Sequence, residues 1–284
     1  ALLGMLITAV GMPLLGIVAL GVSRSSGLMQ MSGRVAKWYS YFFTCALYLT
    51  IGPFFAIPRC AATSFTMGIA PLVSGSHTVP QAIFTTLFFA AVLFFALRPN
   101  NIMNSIGKYL NPIFLICLGI LVVAALLDPI QSVGSVAASG AYADNAFSTG
   151  FLQGYDTLDA LASLAFGIIV VNVIKEMGVE EPGAIAKNTI KSGVFSMVLM
   201  TVIYALIAIV GAQSYGLYAD QLGEPSFNGG NAFAIIAQHY LGKAGMIVLA
   251  LTAYAQDMYF FIAPAAILAC AIIALIFGRR KRHA

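Results

Sequence analysis

The sequence predicts an all-α protein, a polytopic bundle of membrane helices, and three observations predict it. Of 284 residues, 60% are hydrophobic and only 8% are charged, against about 25% charged in an ordinary soluble domain. Apolar runs long enough to cross a bilayer recur along the whole chain, and the basic residues between them alternate in number from one connection to the next. This composition excludes a soluble globular domain and a disordered chain alike. The net charge of +4 forms no basic stripe with interleaved aromatics, so nucleic acid is not an expected partner.

A helix needs about 20 residues to cross the roughly 30 Å hydrocarbon layer. Seven runs qualify: 1–22, 38–57, 82–97, 109–127, 151–174, 194–212 and 244–277, the short third one extending back to Val79. The first connection carries Arg24, Arg34 and Lys37, and the second, 58–80, carries Arg59 alone. The third carries Arg98 and Lys108, the fourth no basic residue, the fifth Lys175, Lys187 and Lys191, the sixth Lys243, and the tail Arg279, Arg280, Lys281 and Arg282. Twelve of the 14 basic residues therefore fall on one set of alternate connections, which the positive-inside rule assigns to the cytoplasm. Ala1 is expected outside and the tail inside. That alternation requires 244–277 to cross once, although it is long and contains Asp257 and Pro264; it is expected to be tilted, broken or partly interfacial. Trp38, Tyr39 and Tyr41 open the second span where interfacial anchors belong, and 230–241 has the pattern of a short helix lying on the outer surface.

Catalytic and metal-binding patterns are poor. Cys45, Cys60, Cys117 and Cys270 stand singly, and His77, His239 and His283 fall in connections or the tail. No nucleophile and base meet at membrane depth, and neither a metalloprotease helix nor a phosphate-binding glycine loop occurs. An enzyme is not expected, nor a cofactor, and whatever moves is driven by an ion gradient or not driven. The chain opens at Ala1, without methionine and already apolar, which reads as a cut in front of a membrane span rather than a signal peptide.

The chemistry concentrates at Gln153-Gly154-Tyr155-Asp156-Thr157-Leu158-Asp159. An aspartate at mid-helix costs about 2.5–3.5 kcal/mol on insertion, while a Leu or Ile returns about 0.3–0.6. If the helix is regular, the spacing of three puts Asp156 and Asp159 on one face, turned toward the bundle or a wet cavity. The plainer alternative leaves both as solvated acids in the headgroup region, with Asp156 capping the helix start. Gly150, Gly154 and Gly167 bracket the segment, and breaks there would free backbone groups for an anion and a cation; the competing reading is close packing of small residues. Upstream, Gly52-Pro53-Phe54-Phe55-Ala56-Ile57-Pro58-Arg59 interrupts an apolar span, so a kink is expected at Pro53. Arg59 either snorkels to headgroups or shapes an external gate by pairing with an acid such as Asp159.

These segments resemble the bacterial branched-chain amino acid:cation symporters. Leu6-Ile7-Thr8-Ala9-Val10-Gly11 with Pro13 is similar to that family's second span, Gly52 to Arg59 to its third-span signature, and Gly154 to Asp159 followed by Phe166-Gly167-Ile168-Ile169-Val170-Val171-Asn172 to its sixth. The resemblance runs from Ala1 to about Gly245. It implies part of the ten-helix inverted-repeat core of the LeuT-like amino acid transporters, in the bacterial inner membrane, carrying leucine, isoleucine and valine inward with Na⁺. On that architecture Gly154, Tyr155, Asp156 and Thr157 would hold the substrate's ends, Asp159 would balance the ammonium group or the cation, and Gly52, Pro53, Pro58 and Arg59 would serve a gate or the scaffold.

The departures are equally specific. The family's first-span motif, Gly-Ala-Gly-Asn-(Leu/Ile)-Ile-Phe-Pro-Pro, does not occur in this sequence, and 246–257 does not resemble the eighth span that would lend hydroxyls to the cation; Thr252 is the nearest. Spans nine to twelve have no counterpart. The reading is therefore a truncated transporter bundle over 1–245, followed by a divergent terminal helix and basic tail over 246–284. The alternative is a non-transporting membrane fragment or assembly partner, and sodium-dependent leucine binding separates the two.

Overall fold

The computed structural model describes residues 1–25, 27–70, 73, 75–96, 111–138, 140–224, 227–243 and 245. Among them every regular element is helical. The first helix, α1, runs Leu2–Val22 and contains one wide turn at Ile7–Gly11. It is followed by α2 (Leu28–Gly33), α3 (Lys37–Leu49) with a wide turn at Thr50–Phe54, α4 (Ala56–Gly68), α5 (Thr78–Ala96) and α6 (Asn111–Leu127). Then come α7 (Ala141–Tyr155), α8 (Asp159–Glu176), α9 (Pro182–Gln213) and α10 over 229–243.

Among the described residues four stretches are long and apolar enough to cross a membrane, Leu2–Val22, Lys37–Gly68, Ala141–Glu176 and Pro182–Gln213, with shorter apolar helices at Thr78–Phe94 and Pro112–Leu127. Six of the seven expected runs are thus helical, and the seventh, 244–277, lies outside the described residues apart from Gly245. Three runs are longer than expected. Helix α9 starts twelve residues before Val194 because Lys187 and Lys191, which ended the apolar search, sit comfortably in a helix that begins beyond the hydrocarbon layer. Residues 58–68, expected as part of an outer connection, belong to α4, so Arg59 is helical. The span expected at 151–174 reaches back to Ala141 and is broken in its middle.

The chain divides into two compact units, Ala1–Phe54 with Val133–Ile209 and Phe55–Ser132 with Val210–Ala284. In the first unit α1 lies along α7 and then α8 in the same direction: a Cβ at Gly150 would meet the backbone of Ala1, one at Gly4 that of Phe147, one at Gly16 Ser163 and Leu164, and one at Gly167 the Leu20 side chain. Helix α9 runs the opposite way, with Gly193 against Ile17 and Gly21 against Ala186 and Ile190. These relative directions are the ones the alternating basic connections require. Small residues let the backbones approach this closely, and dispersion and shape rather than hydrophobic expulsion hold such contacts in lipid. Trp38 and Tyr41 are exposed on α3, as anchors at the interface would be.

In the second unit α5 packs on α4 through an aromatic ladder, Phe65 with Phe84 at 5.8 Å between ring centroids and Phe84 with Phe88 at 6.3 Å. The expected helix at 230–241 is present as α10. It buries Ala234, Ile236 and Ala237 and is tied by the Tyr240 hydroxyl, which donates to the Asp128 carbonyl at 3.0 Å.

Candidate functional site

The interruption between α7 and α8 has local causes. Asp156 and Thr157 belong to the residues whose side chains compete with the helix for backbone partners. Thr157 Oγ1 donates to the Gly154 carbonyl at 2.8 Å. The Asp156 N–H still closes onto Leu152 O at 3.0 Å, and the Leu158 N–H turns back to Tyr155 O at 3.1 Å. Leu158 then adopts the left-handed conformation, φ 64° and ψ 10°, which costs a non-glycine residue about 1–2 kcal/mol and persists only where the surroundings enforce it.

The enforcing neighbour is the wide turn of α1. Thr8 is 1% exposed. Its hydroxyl donates to the Phe151 carbonyl at 2.8 Å across to α7, while lying within 3.2 Å of its own Met5 carbonyl. Phe151 O also keeps its helical bond, since the ladder of α7 runs on to the Asp156 N–H on Leu152 O, so the Thr8 hydroxyl is a second donor that ties the two helices together. Gly154 is buried directly against this turn: a Cβ there would fall on Thr8 Oγ1 and on the Met5 carbonyl.

The two acids separate at the break. The expectation that Asp156 and Asp159 share one helical face is corrected, because a regular helix does not connect them. Asp156 is exposed and closes the end of α7, so it does not cap a helix start. Asp159 is half-buried and opens α8, where the helix dipole and the unpaired N–H groups of the first turn favour a negative charge. The Tyr204 hydroxyl, from α9, donates to Asp159 Oδ2 at 2.5 Å, and the Thr157 hydroxyl belongs to the same cluster. A further rung comes from α3, whose Tyr48 hydroxyl donates to the Ala165 carbonyl of α8 at 3.0 Å.

The glycines also resolve. Gly150 and Gly154 lie within α7 and Gly167 within α8, so none of the three is the break; all three serve close helix packing. Tyr155 is 49% exposed. Sequence reasoning missed two residues of this cluster. Thr8 was visible only as part of a motif, and Tyr204 only as an isolated phenol in an apolar run, the one signal being that its polar tip needs a partner.

The expected kink near Pro53 is present, with the departure on its neighbours. Gly52 has φ −79° and ψ −115°, in keeping with the exclusion of the α region before proline, and Phe55 has φ −138° and ψ −64°. Pro58 and Arg59 are exposed in the first turn of α4, where proline's missing N–H costs nothing. Arg59 belongs to the second unit and Asp159 to the first. Thr252 lies outside the described residues. Among the described residues no three His, Cys, Asp or Glu side chains converge as a metal site.

An all-helical bundle of apolar spans, one of them interrupted beside a half-buried acid, defines a multi-pass membrane protein. The chain belongs to the family described as branched-chain amino acid transport protein, whose model matches residues 1–258; this is a family of permeases, not of enzymes. It is 50% identical over 253 residues to the branched-chain amino acid permease BrnQ of Lactobacillus delbrueckii subsp. lactis, covering 88% of this chain and 56% of the relative. It is 40% identical over 249 residues to BrnQ of Bacillus subtilis (87% and 55%) and 37% identical over 250 residues to BrnQ of Escherichia coli K12 (88% and 55%). The chain therefore spans about half the length of these relatives.

Proposed function

We propose that this chain is part of a secondary transporter that carries leucine, isoleucine or valine across the bacterial inner membrane together with Na⁺, and that residues 1–245 supply its transport bundle in an inverted-repeat, LeuT-like arrangement. The observation that carries the reading is the break at Asp156–Leu158. A substrate zwitterion needs a partner for each charged end, and an interrupted span offers both: N–H groups at the start of α8 for a carboxylate, carbonyls at the end of α7 for an ammonium group or a cation. In this reading Gly154, Tyr155, Asp156 and Thr157 contribute to the substrate's polar ends, and Asp159 carries the compensating charge for the coupling ion, with Thr252 as a further oxygen donor. Gly52, Pro53, Pro58 and Arg59 belong to the gate or its scaffold. The aliphatic side chain asks only for apolar surroundings. One positive charge moving inward is worth about 2.3 kcal/mol per 100 mV, enough to concentrate the substrate roughly fiftyfold.

The test is leucine uptake by the full-length protein in proteoliposomes. Asp159→Asn is expected to abolish gradient-driven uptake at normal expression, and undiminished uptake overturns the role of Asp159. Uptake that persists without Na⁺ under a proton gradient overturns the choice of ion. The second reading, a non-transporting membrane fragment or assembly partner, predicts that the purified chain binds no leucine with or without Na⁺.

A further inference from the structure

We infer that Tyr204 is a positioning residue of the cation subsite: its phenol, anchored on the unbroken helix α9, holds the Asp159 carboxylate in the orientation in which a monovalent cation binds it. The inference rests on the reading of Asp159 proposed above and names a residue that reading does not use.

Three observations carry it. Asp159 directly follows the left-handed Leu158, so its backbone lies at the exit of the break and shares whatever freedom the break has. The restraint comes from another helix: Tyr204 Oη donates to Asp159 Oδ2 at 2.5 Å, at the short end of the range for a hydroxyl bonded to a carboxylate and among the stronger hydrogen bonds a protein makes. Tyr204 also stands far inside its span. It lies 13 residues after Lys191, about 20 Å along the helix, in surroundings where a phenol keeps its polar tip satisfied only through a specific partner. The phenol occupies one of the roughly four lone-pair sites of the carboxylate. That leaves capacity for a hard cation, which takes oxygen ligands, and fixes the direction in which that capacity points. Thr157 holds the upstream side of the break through its bond to Gly154 O.

The experiment is Na⁺-dependent leucine uptake by the full-length protein in proteoliposomes. Tyr204→Phe keeps the ring and removes the hydroxyl. The expected result is a rise of about tenfold in the Na⁺ concentration for half-maximal uptake, equivalent to about 1.4 kcal/mol. The maximal rate and the leucine half-saturation at saturating Na⁺ are expected to stay within about twofold. An unchanged Na⁺ dependence, or a leucine half-saturation that rises alone, overturns the inference. Asp159→Glu moves the carboxylate by one methylene and is expected to weaken the Na⁺ dependence similarly, and adding it to Tyr204→Phe is expected to weaken it no further. A wild-type Na⁺ dependence in Asp159→Glu, or full additivity in the double variant, also overturns it. Asp159→Asn separates the levels: normal uptake there sinks the reading of Asp159 itself, whereas lost uptake there with an unshifted Tyr204→Phe sinks only the role of Tyr204.

Discussion

Ala141–Glu176 and Pro182–Gln213 are consecutive apolar stretches of 36 and 32 residues, yet the first is broken and the second is continuous. Hydroxyls do not by themselves make the difference. Helix α9 carries Thr189 and Thr201, whose hydroxyls fold back onto the carbonyls four residues earlier, Ile185 and Met197, each at 2.8 Å. A polar residue so satisfied leaves the ladder intact. In the broken stretch Thr157 bonds only three residues back, Leu158 turns left-handed, and the Thr8 hydroxyl of a neighbouring helix ties down the Phe151 carbonyl of α7. The lesson is that the break is a joint product of Asp156–Leu158 and of α1, not a property of the segment alone.

Three variants break or sharpen that comparison. The largest effect is expected from Gly154→Ala, because the new methyl meets Thr8 Oγ1 and the Met5 backbone, which cannot swing aside. A loss of about 3 kcal/mol, the upper end for overpacking, is expected as a clear fall in the thermal unfolding midpoint of the protein in detergent; an unchanged midpoint contradicts the close approach. A smaller loss, about 0.5–1.5 kcal/mol, is expected from Thr8→Val, which keeps the shape and removes the bond from Thr8 to the Phe151 carbonyl. Amide exchange at 156–158, followed by mass spectrometry, should quicken in that variant and not in α9. The smallest effect has the opposite sign. Gly211 lies in the continuous α9 with nothing among the described residues within 4 Å of an added Cβ, so Gly211→Ala is expected to raise stability by about 0.5–1 kcal/mol through helix propensity. Destabilisation there would show that α9 is closely packed at Gly211 as well as at Gly193.

Much of the architecture was legible because lipid imposes a simple rule: long charge-free runs become helices, and the count of basic residues between them orients each one. The parallel course of α1 with α7 and α8, and the antiparallel course of α9, follow from that count alone. Places where the rule is weak were misread. Helix α4 carries Arg59 and two threonines and looked like a connection, and α9 begins well before its last lysine. At the site, Asp159 was legible because an acid at membrane depth is expensive. Its phenolic partner was not, since 45 residues separate Tyr204 from Asp159 and a tyrosine among apolar residues has no fixed meaning until its neighbour is known. The glycines illustrate the same limit: Gly150, Gly154 and Gly167 permit either a break or a close contact, and only the approach of α1 selects contact.

By itself, the amino-acid order determined the solvent, the helical class, the directions of the spans and the segment where a charge had to be accommodated, because each of these depends on transfer energies that add up along a chain. Only the tertiary structure decided where the helix stops, which acid is held and by which phenol. Those outcomes turn on ångström-scale distances between residues far apart in sequence, and no sum over a single segment contains them.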